Sequence, residues 1–335
     1  MSEIAVALPL PRAGAGTPAA ALVEREVVDR PVVTPRWRAD LALVVAAFFF
    51  GTTFIVVQNA LDEADPVPFL AVRFLFGGTL LAFMARRRPA GRHELRHGVA
   101  AGGALAAGYV LQTIGLQHTT AAASAFITYL LVVLVPLLGF VVLRRRPHPA
   151  TLIGVVLAVG GLALLTGGTE TGLGRGELLT LGSAFGFAVH ILILGETAAR
   201  HDPLRLTTVQ LLTVGAVTLA PSLVTGGLAL SLGPLGAAAF TGVFATALAF
   251  WAMVFAQRIV SPTRAALILL LEPVFAAVIG WLAGDALTAG MIGGGVLILL
   301  TVVVAEVVPL RLAGRGRSGP RRLMVGAQPN RILAP

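Results

Sequence analysis

The 335-residue sequence contains no cysteine, no lysine and only 12% charged residues. The absence of cysteine excludes disulfides and thiolate metal sites. A soluble domain carries roughly a quarter charged residues, so this chain has too little polar surface to cover a water-soluble globule. The hydrophobic fraction of 56% and the mean hydropathy of +0.88 therefore indicate an integral membrane protein.

Long apolar runs occupy most of the sequence after the first forty residues. Each run approaches the roughly 20 residues that a helix needs to cross the hydrocarbon core. Strands of a membrane barrel would be about half as long and would alternate in polarity. The runs lie at residues 41–59, 67–85, 98–116, 122–143, 151–167, 177–195, 206–226, 235–256, 265–283 and 288–308. We therefore predict an all-α integral membrane fold with ten transmembrane helices.

The arginines predict the orientation of these helices. All 25 basic residues are arginine. If the N-terminus is cytoplasmic, all of them except Arg73 and Arg175 fall in inside segments. The first outside loop instead carries Asp62, Glu63 and Asp65. This positive-inside bias predicts cytoplasmic N- and C-termini. The exclusive use of arginine is typical of a GC-rich bacterium, so the expected location is a bacterial plasma membrane. The net charge of +9 is thus a topology signal, and no nucleic-acid partner is expected.

Two similar segments divide the chain into halves. SAFITYLLVVLVP runs from Ser124 to Pro136, and SPTRAALILLLEP runs from Ser261 to Pro273 with the same serine-to-proline separation. Because each half contains five helices, an odd number, the halves must have opposite orientations in the membrane. We predict two inverted five-helix repeats, a plan common among secondary transporters, whose sites lie near the midplane between the repeats.

The predicted organisation has four parts. A disordered cytoplasmic tail covers residues 1–38, and a basic cytoplasmic tail covers residues 309–335. The first repeat covers residues 39–167 and the second covers residues 177–308.

Several passages carry a resemblance to a known family. They are RAALILLLEPVFAAVIGWLAGDALTAGMIGGGVLIL in the ninth and tenth runs, FFFGTTFIVVQ in the first, PVPFLAVRFLFGG in the second, and GLQHTTAAASAFI between the third and fourth. With these passages, residues 40 to 306 resemble the EamA-type ten-helix transporters of the drug/metabolite transporter superfamily. The family often has Gly-Glu after the fourth and ninth helices, where this chain has Arg144 to Arg146 and Gly284-Asp285. Its common Trp-Gly pair in the first helix is Phe50-Gly51 here.

Three ionisable residues are predicted at membrane depth, where their burial is costly. Glu272, next to the helix-bending Pro273, is interpreted as a proton- or substrate-binding carboxylate, or as a structural partner of Arg73. Arg73 either binds an anionic substrate group, snorkels to the outer interface or neutralises Glu272. His190 is either a proton relay or a hydrogen-bonded histidine of the bundle.

Neutral polar residues form a second group of pathway candidates. Gly51, Thr52 and Thr53 interrupt the first apolar run, and they either face a cavity or permit close helix packing. Gln112 and Tyr129 are further candidates for the lining of a pathway.

These features predict a secondary transporter, an exporter of small metabolites, amino acids or drugs that works by alternating access. Two alternatives stay open: an intramembrane lipid-modifying enzyme and a non-transporting membrane scaffold. No catalytic cluster is found in the sequence, so we expect no enzyme activity, no cofactor and no metal. The expected partners are the lipid bilayer and a small-molecule substrate; proton coupling and a homodimer are left open.

Overall fold

The computed structural model describes residues 35–87, 91–119, 121–166, 174–225, 227–282, 284, 286 and 288–315, and these residues contain helices and no strands. The predicted all-α class is therefore confirmed. The tail predicted at residues 1–38 lies almost wholly outside the described residues, as does the C-terminal tail after Arg315.

The helices of the first half follow the predicted apolar runs. They are α1 (Arg36–Leu61), α2 (Pro66–Ala85), α3 (Arg92–Leu116), α4 in two segments (Ala121–Tyr129 and Leu131–Leu143) and α5 (Pro149–Thr166). Gly51 does not interrupt α1, which is one continuous helix.

The helices of the second half follow in the same order. They are α6 (Arg175–Thr197) with a short 3₁₀ turn (Ala198–Arg200), α7 (Pro203–Thr225), α8 (Leu232–Gln257), α9 in two segments (Pro262–Leu269 and Leu271–Leu282) and α10 (Ala289–Arg315). The middle of α8, Gly242–Leu248, is π-helical. The helix α10 runs beyond the predicted end at residue 308.

The break in α9 has a local cause. Pro273 lacks the N–H that would bond to the carbonyl four residues earlier, and its ring clashes with that carbonyl. The second segment begins at Leu271, which places Pro273 in a first helical turn where no such bond is needed. The proline therefore fixes where the two segments meet, directly beside Glu272.

Seven helices in the described part of the chain are long and apolar enough to cross a membrane, namely α2, α3, α4, α6, α7, α8 and α9. Only about 40 to 60% of each most apolar stretch is buried inside the bundle. Large apolar side chains such as Val156 and Val224 are 73% and 87% exposed. Such an apolar exterior requires lipid as its solvent.

Helices of one half pack mainly against helices of the other half. The most extensive contacts join α2 to α7, α5 to α10, and α3 to α6 and α7. The helix α1 lies against α8 and α9, and α4 lies against α6. The core of the bundle is thus an interface between the two halves.

Side-chain contacts define two ends of the bundle. At the end we call the basic end, the start of α1 meets the start of α9, and the start of α3 meets the α6–α7 connection and the start of α7. At the end we call the opposite end, the α3–α4 connection meets the start of α6, and the α1–α2 connection meets the start of α8.

Candidate functional site

A cavity of about 150 Å³ lies between the two halves. Its lining runs from Phe50 in the middle of α1 to Leu61 at the end of that helix, and it includes Leu116 at the end of α3. The cavity therefore reaches the opposite end. Toward the basic end, Ala39 and Leu43 of α1 are fully buried and close the bundle.

Six of the eight residues predicted for the pathway line this cavity. They are Thr53, Arg73, Gln112, Tyr129, His190 and Glu272. Thr52 and Pro273 are not among the lining residues. Pro273 instead shapes α9, and the hydroxyl of Thr52 is buried with no hydrogen-bond partner among the residues that the structure describes.

Arg73 is held deep inside the bundle and does not snorkel. Its side chain is buried, and its Nε donates a hydrogen bond of 2.8 Å to Oγ1 of Thr246. The guanidinium carbon lies 5.6 Å from the ring centroids of Phe74 and Tyr109, within cation–π range. The hydroxyl of Tyr109 also lies beside the guanidinium.

Close helix packing brings Arg73 to Thr246. A Cβ added to Gly77 of α2 would lie 2.6 Å from the carbonyl oxygen of Gly242 in α8, so a larger residue would force these helices apart. Thr246 lies in the π-helical stretch of α8, and such stretches occur frequently at functional sites.

Glu272 enters the cavity from the break in α9. The hydroxyl of Tyr129 lies beside its carboxylate, and the charge of Arg73 acts on it from farther away. No ion pair within 4.0 Å joins Arg73 to Glu272 in the part of the chain that the structure describes. Two opposite charges thus face one cavity without neutralising each other by direct contact.

His190 is the most deeply buried ionisable residue of the lining, with 1% exposure. Its Nδ1 lies 2.9 Å from the carbonyl oxygen of Ala101. A carbonyl only accepts hydrogen bonds, so Nδ1 carries the proton and Nε2 of the neutral ring is an acceptor. No side chain or backbone group among the described residues bonds to Nε2.

Neutral residues complete the site. Gln112 Nε2 donates to Oγ1 of Thr128 over 3.0 Å. Thr53 donates to the carbonyl oxygen of Phe49 in its own helix over 2.6 Å. The aromatic wall is formed by Phe50, Phe69, Tyr109, Phe187 and Phe250.

Comparison with known proteins agrees with a membrane carrier. A model of the EamA-like transporter family matches twice, over residues 37–167 and 174–306. An uncharacterized transporter of Archaeoglobus fulgidus is 31% identical over 274 residues, covering 81% of this chain and 86% of the relative. The uncharacterized transporter YwfM of Bacillus subtilis is 28% identical over 281 residues, covering 81% and 94%.

A solved crystal structure shares the fold. It superposes with a TM-score of 0.72 at 18% identity, covering 83% of this chain and 99% of the other. The two family matches span most of the sequence, and the apolar helices fit a multi-pass membrane protein. The chain belongs to the EamA-like transporter family.

Proposed function

We propose that this protein is a secondary transporter that exports a small metabolite, amino acid or drug by alternating access. The observation that carries the proposal is the cavity between the two halves, with Arg73 and Glu272 in its lining. Glu272 lies ten residues into α9, or about 15 Å along the helix, and the hydrocarbon core is about 30 Å thick. A charged cavity near the midplane, reached from one end, is what a carrier needs in one of its two states.

The proposed topology has ten spans arranged as two inverted five-helix repeats. To the seven helices above we add α1, α5 and α10. The packing supports the repeat. If the halves are equivalent, each helix of one half corresponds to the helix five positions later in the other, so a contact between two helices should recur between their counterparts. The counterpart of the α1–α8 contact is α6–α3, and the counterpart of α1–α9 is α6–α4. All four contacts are present, and α2–α7 and α5–α10 map onto themselves.

The basic end is proposed to be the cytoplasmic gate. Its connections carry the arginines between the helices, as the positive-inside rule requires of a cytoplasmic face. Its ion pairs join one half to the other, so they must separate when the halves rock and the cavity turns toward the cytoplasm. With this orientation in the bacterial plasma membrane, the present structure faces outward.

Single-cysteine accessibility in proteoliposomes tests alternating access without background labelling, because the chain has no native cysteine. Leu61→Cys probes the cavity at the opposite end, and Leu43→Cys probes the closed region. We expect a membrane-impermeant maleimide to label Leu61→Cys in the resting protein. Leu43→Cys should become reactive only under conditions that drive flux. Flux without any labelling of Leu43→Cys would argue against alternation at this site.

The energy source is proposed to be a proton gradient coupled through Glu272. Glu272→Gln should abolish flux driven by a pH gradient, with Asp62→Asn, an exposed carboxylate at the opposite end, as the matched control. Unchanged gradient-driven flux in Glu272→Gln would remove this carboxylate as the coupling group.

A further inference from the structure

The cavity presents three different polar groups to one small ligand. These are the guanidinium of Arg73, the carboxylate of Glu272 and the bare Nε2 of His190. Each has a neighbouring group that holds it: Thr246 at Nε of Arg73, Tyr129 beside Glu272, and the carbonyl of Ala101 at Nδ1 of His190. The site is therefore organised before any ligand arrives.

The two charges retain unused hydrogen-bonding capacity. A guanidinium has five N–H donors, and the partners in the described residues are Thr246 at Nε and the hydroxyl of Tyr109. An ionised carboxylate accepts about four hydrogen bonds, and Tyr129 supplies one neighbour. A ligand with an anionic group for Arg73 and a cationic group for Glu272 would use both capacities.

Ligands of other charge leave one group uncompensated. A dianion would be repelled by Glu272, and a dication would be repelled by Arg73. A neutral apolar ligand would displace water from both charges without replacing its hydrogen bonds. The size of the cavity, about 150 Å³, matches cavities that hold one benzene molecule, so the part of the ligand enclosed there is small.

We infer, on the basis of the proposed transport function, that the substrate is a small zwitterion whose anionic group binds Arg73 and whose ammonium binds Glu272, with His190 Nε2 accepting one further hydrogen bond from it. Phe50, Phe187 and Phe250 of the aromatic wall then contact the apolar part of the substrate. In this arrangement His190 is a neutral acceptor that positions the substrate, rather than the proton relay considered from the sequence.

Titration calorimetry on the purified protein tests the inference with ligands that share a carbon skeleton. The probes are L-leucine, which is zwitterionic, 4-methylpentanoate, which lacks the ammonium, and 3-methylbutylamine, which lacks the carboxylate. The corresponding sets built on alanine and phenylalanine extend the range of sizes. We expect each single-charge analogue to bind roughly 10- to 100-fold more weakly than its zwitterion, the loss of one charge-assisted hydrogen bond.

Variants assign the groups. Glu272→Gln should weaken zwitterion binding by a similar factor and leave binding of the anionic analogue unchanged or tighter. Arg73→Gln should weaken binding of the zwitterion and of the anionic analogue and leave binding of the amine unchanged or tighter. His190→Gln keeps an acceptor oxygen and should retain more affinity than His190→Leu. Since the wild-type ligand series needs no variant, poor folding of a mutant leaves the test intact.

Three results would overturn the inference: equal binding of zwitterion and single-charge analogue, no binding of any zwitterion in the series, or tighter binding of a dianion such as succinate. The results that would contradict the proposed transport function differ from those that would contradict the inference about the substrate. Flux of succinate without zwitterion binding would contradict a zwitterionic substrate and support the transport function. Zwitterion binding without flux of any probe would support the zwitterion site and contradict the transport function.

Discussion

The two ends of the bundle are joined by different kinds of contact. At the basic end, Arg264 forms a bidentate ion pair with Asp40, with distances of 3.0 and 2.8 Å. Arg205 lies 2.9 Å from the buried carboxylate of Glu94. At the opposite end, Thr119 donates a hydrogen bond to Glu177, and Ser231 donates a longer one of 3.4 Å to Glu63.

This difference indicates which end opens more easily. A bidentate ion pair such as Arg264–Asp40, or a partly buried one such as Arg205–Glu94, is stronger than a hydrogen bond from a single hydroxyl, because both partners are charged. Moreover, separating a buried ion pair leaves a buried charge without its partner, which is strongly unfavourable until water solvates that charge. The basic end, which has the stronger contacts, is closed, and the cavity reaches the opposite end, which has the weaker ones. Of the four predictions below, three alter contacts at the ends and one acts between them, and they run from the largest expected effect to the smallest.

The largest effect is expected from Arg205→Met. The side chain of Glu94 is 4% exposed, so the variant leaves a buried carboxylate without its cation. We expect a loss of about 3–5 kcal/mol in the free energy of unfolding. Thermal unfolding in detergent measures it. The control is Arg145→Met at a 62% exposed arginine, where about 0–1 kcal/mol is expected. Equal losses in both variants would contradict the ranking of these contacts.

A smaller effect is expected from Gly51→Ala, which acts at neither end but between α1 and α9. A Cβ on Gly51 would overlap the carbonyl oxygen of Glu272 and lie 3.0 Å from the amide nitrogen of Ala276. Overpacking against backbone should cost about 1–3 kcal/mol. Gly103→Ala, a helical position with open space around its Cβ, should be neutral or slightly stabilising. Unfolding temperatures of the two variants decide the matter, and a harmless Gly51→Ala would show that this contact is not close.

Arg264→Gln should weaken the basic end by about 1 kcal/mol, roughly a fivefold change in the population that opens there, because this pair is partly exposed. Maleimide labelling of Leu43→Cys should accelerate accordingly. Thr119→Val, which removes the hydroxyl contact at the opposite end, should leave that labelling rate unchanged or lower it. A faster rate in Thr119→Val than in Arg264→Gln would reverse the comparison of the two ends.

The smallest effect is expected from pH. Nδ1 of His97 lies 2.7 Å from Nε2 of His201, so a histidine pair also joins the halves at the basic end. Partial burial lowers the pKa of His201, the charges of His97, His93 and Arg200 lower it further, and Glu94 opposes them. His201 therefore binds a proton more readily in the unfolded chain than in the folded protein. Stability from this pair is present above pH 6.5 and is lost as the pH falls through the lower folded pKa.

Thermal unfolding between pH 8 and pH 5 measures this dependence. His201→Gln should flatten the curve, whereas His118→Gln, an exposed histidine at the opposite end, should leave it unchanged. A curve that stays the same in His201→Gln would assign the pH dependence to other groups.

The sequence predicts the charged part of the site and misses much of its neutral part. Arg73 and Glu272 stand out because a charge inside an apolar run is expensive to bury. Thr246 and Phe187 give no such signal, since threonine and phenylalanine are frequent on any membrane helix. Only the packing of α8 and α6 shows that these two side chains contact Arg73 or the cavity.

The fold shows the same division. Apolar length predicts where the helices lie, and Pro273 accounts for the break in α9. The break in α4 falls at Leu130, six residues before Pro136, so no proline or glycine at the break accounts for it. Asp40 and Arg264 are 224 residues apart, so their pairing follows from the arrangement of the halves and not from a local pattern.

The π-helical stretch Gly242–Leu248 has a consequence for sequence length. A π turn holds about one residue more than an α turn, so the stretch behaves like an insertion absorbed within a helix. Deletion of Val243 would let α8 revert to regular α geometry with its two flanking ends still in phase, and the residues within the stretch would change their direction about the helix axis. Thr246 would then no longer point at Arg73 as it does now, although both ends of the helix kept their lipid-facing surfaces. The length of this segment, as much as its composition, therefore fixes the donor geometry of the arginine.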